Sequence, residues 1–136
     1  EPESYPGPSI IIPYSHCIAH AIDLDRGAGA RQQRLAVETG QWLLYRYDPR
    51  RLDQGLNPLQ LDSAAAKTKV QDYLLSENRF KMLTKSKPDD AKKFFAQAQA
   101  DVERRWKYYQ YLAGRDSNGN VVSAQAKPAS TVDQQP

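Results

Sequence analysis

Apolar positions along this chain fall into a few distinct patterns, and each pattern asks for a different element. The first is an unbroken run, Ile10-Ile11-Ile12, between Ser9 and Tyr14. β-Branched side chains crowd a helix and fit a pleated strand. A run without alternation predicts a strand over 9–14 that is covered on both faces, as in a parallel sheet. Pro13 falls at its end, where a missing N–H costs least. Residues 1–8, with three prolines and a glycine, predict an extended lead-in. Just past the strand, a helix is expected to start within Ser15–Ala21 and to give way around Gly27 and Gly29.

A second helix is predicted over Ala30–Thr39, with Leu35 and Ala36 inward and Gly40 as its stop. Bulky and aromatic residues alternate over Trp42–Tyr47, which predicts a strand over Leu43–Tyr47 ended by Asp48-Pro49. Residues 50–68 carry Gly55, Pro58 and few periodic apolar positions. They read as a long surface connection that wraps over another part of a larger protein. Val70, Tyr73, Leu74, Phe80, Met82 and Leu83 are spaced for a helix over 70–84, broken near Ser76. Ser86, Pro88 and the acids behind them resemble a helix start with Ser86 as cap. From Asp89 the helix is expected to run to Ala113 and to close at Gly114. Its apolar stripe is Ala91, Phe94, Phe95, Ala98, Val102, Trp106, Tyr109 and Leu112. Residues 115–136 are polar and predict a disordered tail.

Composition adds bounds to this picture. The 136 residues, 40% hydrophobic and 26% charged, suit one modest soluble domain. No apolar run is long enough to cross a bilayer, and Glu1-Pro2-Glu3-Ser4 has no secretory pattern. The chain is expected to be a segment of something longer, since no initiator methionine opens it. The net charge of +3 does not imply nucleic acid. Basic and acidic residues interleave, as in Lys87-Pro88-Asp89-Asp90-Ala91-Lys92-Lys93, which is the pattern of a solvated helix face rather than a basic surface. The single cysteine, Cys17, cannot form an intramolecular disulfide, so a reducing cytoplasm is the simpler expectation.

Candidate chemistry concentrates in Ser15-His16-Cys17-Ile18-Ala19-His20, and three readings stay open. Cys17 can be a packed thiol with two incidental histidines. It can be a nucleophile paired with His16 or His20, which needs a third group to orient the imidazole. It can be a metal ligand, although zinc would need two ligands beyond the Cys17–His20 pair and a four-thiolate cluster three more cysteines. Trp106, Tyr108, Tyr109 and Tyr111 fit core or interface better than a stacking platform. Arg46, Asp48, Arg50 and Arg51 fit surface ion pairs better than an anion site. Glycine-rich nucleotide loops, paired-carboxylate motifs and H-E-x-x-H are absent from the sequence.

Several blocks in order resemble one family. Tyr5-Pro6-Gly7-Pro8-Ser9-Ile10-Ile11-Ile12 leading into Tyr14-Ser15-His16-Cys17-Ile18-Ala19-His20 is similar to the last conserved block of pyruvate:ferredoxin (flavodoxin) oxidoreductases. The likeness continues through Gln33-Arg34-Leu35-Ala36-Val37-Glu38-Thr39-Gly40, Trp42, Arg46-Tyr47-Asp48-Pro49-Arg50 and Asn57-Pro58-Leu59-Gln60-Leu61-Asp62-Ser63. Tyr73, Asn78-Arg79-Phe80 and Arg104-Arg105-Trp106 keep the same order. The resemblance covers residues 4–114, and none is found for the tail.

This resemblance implies an α/β fold, the terminal part of a thiamine-diphosphate-binding domain (residues 1–114), with two or more strands, helices and a long C-terminal helix. It implies a large enzyme that oxidatively decarboxylates pyruvate with coenzyme A to acetyl-CoA. Thiamine diphosphate with Mg2+ and 4Fe–4S clusters would be its cofactors, ferredoxin or flavodoxin its electron acceptor, and a cytoplasmic homodimer its form. By the same resemblance Cys17 is the fourth ligand of the proximal cluster, with its other three cysteines far upstream. No catalytic or thiamine-contacting residue is expected in this stretch, and the chain alone is expected to be inactive. His16 and His20 would lie around the cluster. Pro13 and Ala21 depart from the family, which usually has a small residue and a glycine there. The competing expectation is a stand-alone, non-enzymatic descendant acting as an interaction module. Upstream sequence with Gly-Asp-Gly and Cys-x-x-Cys would decide between the two.

Overall fold

A computed structural model describes residues 2–17 and 27–120. Within them the fold is a set of helices and one small sheet: α1 (Ala28–Glu38), β1 (Tyr45–Tyr47), β2 (Leu59–Leu61), α2 (Val70–Leu74), α3 (Asn78–Ser86) and α4 (Pro88–Ala113). Short 3-10 helices occupy Pro2–Ser4 and Pro49–Gln54. No described helix is long and apolar enough to cross a membrane. The architecture is thus mixed α and β with a long C-terminal helix, as the apolar patterns predict.

α4 is the platform, and α2, α3 and β2 all pack against it. Its Ala91, Phe95 and Val102 are buried and meet Ala36 of α1 and Val70, Tyr73 and Leu74 of α2. Each large apolar side chain sealed this way contributes about 1.5–3 kcal/mol relative to exposure. Ala98 packs on the edge of this core. Phe94 departs from the predicted stripe and is half exposed, because it sits a full 100° round the helix from Phe95. Met82 likewise points outward from α3.

Helix ends here depend on distant partners more than on local caps. The N-terminus of α2 has no side-chain cap of its own; Val70 N–H instead donates to Gln99 Oε1 of α4 at 3.0 Å. Ser86 does not cap α4 as its sequence position suggests. It closes α3, donating its hydroxyl to Met82 O at 3.0 Å, the back-bond a serine makes within a helical turn. Lys87 alone links α3 to α4. Asp89 and Asp90 then sit in the first turn of α4, where their charge suits the helix dipole.

The strands pair antiparallel, with Tyr45 opposite Leu61 and Tyr47 opposite Leu59, and residues 9–14, expected in a parallel sheet, take no part in this one. The 50–68 connection is also less plain than its composition suggests, since it contains β2. Asn57 fixes its course: its side-chain amide donates to Leu112 O at 2.8 Å and Arg115 O at 2.9 Å, at the end of α4. Its Oδ1 accepts from Leu59 N–H at 2.8 Å. Arg46 and Asp62 pair in two parallel bonds across the sheet, and Arg50 pairs with Asp48, so the ion-pair reading holds for Arg46, Asp48 and Arg50, while Arg51 Nε donates to Asn57 O at 2.7 Å. Past α4, Gly114 follows the helix, and 116–120 turn around Asp116. The rest of the predicted tail, 121–136, lies outside the described residues, as does most of the helix expected after Ser15.

Gly40 joins α1 to the sheet at φ +73°, and an added Cβ would lie 2.9 Å from Val102 Cγ1. Left-handed backbone and the closeness of α4 both select glycine there. Gly40→Ala is therefore expected to destabilise the fold by about 1–3 kcal/mol, read as a lower urea midpoint with unchanged slope.

Acid should weaken the fold in a defined direction. The Arg50 guanidinium and backbone N–H hold the Asp48 carboxyl below its ordinary value of 3.8, and Arg46 does the same for Asp62. Groups whose folded values are depressed stabilise the fold above their unfolded values, and that stabilisation fades as pH falls through the folded ones. Thermal melts should therefore drop below about pH 4, and by less in a Asp48→Asn/Asp62→Asn double variant.

Candidate functional site

The chemistry-bearing residue singled out in the sequence, Cys17, ends the first described segment and is exposed. Residues 8–17 carry no strand assignment. Ile10, Ile11 and Ile12 are 86%, 73% and 67% exposed, which corrects the expectation of a strand covered on both faces. Stiff β-branched residues favour an extended backbone, but covering both faces takes neighbouring strands. The described β1–β2 pair is complete without it.

Contacts hold the segment just before Cys17 at two points. Three residues before it, the Tyr14 ring leans on Trp42 with centroids 5.5 Å apart and meets Tyr73 edge-on at 6.4 Å. The Tyr14 and Tyr73 hydroxyls hydrogen-bond to each other. One residue before it, the His16 imidazole lies over Gly29, where an added Cβ would stand 2.8 Å from His16 Cε1. Glycine normally weakens a helix; near the start of α1 its missing side chain makes room for this ring. His16 Nδ1 is buried and has no hydrogen-bond partner among the described residues. His20 lies outside the described residues.

Beneath Tyr14 is a buried polar network that the apolar pattern does not reveal. Tyr73 is 5% exposed, and Glu77 and Gln32 are each 1% exposed. Gln32 Nε2 donates to Glu77 Oε1 at 3.3 Å and to Tyr73 O at 3.4 Å, and the Ser76 hydroxyl donates to Gln32 Oε1. Arg79 Nε lies 2.5 Å from Glu77 Oε2 and answers its charge. Burial raises the Tyr73 hydroxyl above the ordinary phenol value, with help from its bond to Tyr14 and from the Glu77 charge. Tyr73 therefore stays protonated and available as a hydrogen-bonding group. One sequence signal was available: Gln32 and Ala36 are spaced i, i+4 and share a face of α1.

The Cys17 thiolate could bind a metal, but the described residues contain no group of three or more His, Cys, Asp or Glu able to hold one.

No protein-family model matches the chain. Curated proteins do. The chain is 56% identical over 115 residues to a pyruvate-flavodoxin oxidoreductase of Nostoc sp., covering 85% of this chain and 9% of that protein. This chain is homologous to a segment of pyruvate-flavodoxin oxidoreductases. A probable pyruvate-flavodoxin oxidoreductase of Escherichia coli is 41% identical over 89% of the chain and 10% of its own length. A pyruvate:ferredoxin oxidoreductase of Moorella thermoacetica is 41% identical over 83% of the chain and 10% of its own length. The chain thus spans about a tenth of the length of these relatives.

If His16 is placed by the gap over Gly29, filling that gap should move the ring without unfolding the chain. Gly29→Ala is expected to hold global stability within about 1 kcal/mol, since alanine favours the helix by a similar amount. The His16 Cε1–H resonance should shift clearly in an NMR spectrum. An unmoved resonance would contradict this packing.

Proposed function

We propose that this chain is the C-terminal part of a thiamine-dependent pyruvate oxidoreductase and contributes Cys17 as one thiolate ligand of a 4Fe–4S cluster. The observation that carries the reading is the exposed thiol, anchored on both Tyr14 and His16, in a chain homologous to a tenth of such enzymes. In the whole protein, pyruvate and coenzyme A would be converted to acetyl-CoA and electrons passed to flavodoxin or ferredoxin, in a cytoplasmic homodimer. When bound, the cluster supplies one-electron transfer, and thiamine diphosphate with Mg2+ supplies carbanion stabilisation. The part played by this chain is to present a thiolate and to pack against the rest of the polypeptide.

The exposed isoleucines support the packing role. Residues 9–14 are proposed to enter the sheet of a thiamine-binding fold whose other strands lie upstream. Three exposed isoleucines in a row are a large apolar cost for a free surface, and a buried strand removes it. The long helix α4 then closes the outside of that domain. The same placement puts a cysteine immediately past a strand, where open α/β sheets gather their functional groups.

In the full-length enzyme, Cys17→Ala is expected to lose or destabilise one cluster, seen as lower iron content and a missing component in the EPR spectrum of the reduced protein. His16→Ala should only weaken that signal. An intact spectrum in Cys17→Ala would overturn the ligand assignment.

A further inference from the structure

We infer that Tyr73 is a positioning residue for the Cys17 thiol, acting through the hydroxyl of Tyr14. The inference rests on the proposed ligand role of Cys17 and adds the part of the fold that places it. Three observations converge. Tyr14 is a side chain of the 8–17 segment that reaches the core cluster, against Tyr73 and Trp42. Its hydroxyl is bonded to Tyr73, and Tyr73 is buried in α2. Tyr73 in turn is held from below by Gln32, which bonds both its carbonyl and the Glu77 carboxylate. The anchor is therefore continuous from the Arg79–Glu77 pair, through α1 and α2, to a point three residues from the thiol.

Distance makes this anchor useful. An extended chain advances at most about 3.3–3.6 Å per residue, so fixing Tyr14 confines Cys17 to a sphere of roughly 10 Å radius. His16 over Gly29 restricts it further. A cluster ligand donated from one segment to a site built by others must arrive with its sulfur already placed, because each loose torsion adds an ordering cost on binding. An apolar contact could supply burial at this position but not direction. A hydroxyl pair fixes where the tip of the Tyr14 ring lies, and burial keeps the Tyr73 hydroxyl protonated, helped by its bond to Tyr14 and then by the Glu77 charge.

The test uses full-length enzyme carrying Tyr73→Phe or Tyr14→Phe, each of which removes one hydroxyl and keeps the ring. Hydrogen exchange is measured on residues 14–17 in cluster-free protein, and EPR on the reduced, cluster-loaded protein. Loss of one net hydrogen bond should speed exchange of the segment about fivefold. The EPR component assigned by Cys17→Ala should broaden while iron content is kept, and the double variant should match the single ones. Unchanged exchange in both variants overturns the anchor. Faster exchange with an unaltered EPR component overturns the positioning of the thiol. If Tyr73→Phe fails to fold, Tyr14→Phe decides alone, since its half-buried ring still rests on Trp42. A cluster that survives Cys17→Ala overturns the ligand reading instead, and the anchor then stands or falls on exchange.

Discussion

A carboxylate sealed inside a protein must be answered by donors and an opposing charge, or it destabilises everything around it. Glu77 is in that position, at the break between α2 and α3, with Gln32 reaching it from α1 and Arg79 from the first turn of α3. Three helices are tied to one another by that requirement. The same knot supports Tyr73, and Tyr73 supports Tyr14. The only part of the described chain that carries a thiol is thereby joined to the only described network of fully buried polar side chains. Apolar packing along α4 builds the core, and the polar network meets the first segment at Tyr14.

Much of the helical architecture was legible because it follows from period and punctuation. Apart from Phe94, the stripe from Ala91 to Leu112, with the Gly40 stop and the break near Ser76, expresses period and backbone rules that distant contacts did not override. The strand over Leu43–Tyr47 was legible for its alternation, although only Tyr45–Tyr47 pairs. Its partner Leu59-Gln60-Leu61 was hidden because three residues after a proline carry too little pattern, and Asn57, the residue that seats it, acts through contacts at the end of α4. Ser86 misled because the same hydroxyl that caps a following helix can close the preceding one.

The site was legible in one residue and opaque in its support. Cys17 stood out by being single. Gln32 and Glu77 did not, because polar residues on helices are ordinarily read as solvent-facing, and only the fold shows them converging. The isoleucine run predicts a covered strand, yet residues 8–17 carry no strand and the three side chains are exposed. Its pattern fits a sheet larger than the β1–β2 pair in this chain.

Cys17 is exposed in this segment, and we propose that a cluster completed elsewhere takes it up. Thiol alkylation followed by mass spectrometry tests it without altering the protein. In the intact full-length enzyme Cys17 should resist alkylation, and after the clusters are stripped with a chelator it should label readily. Equal labelling of Cys17 before and after cluster removal would contradict the account.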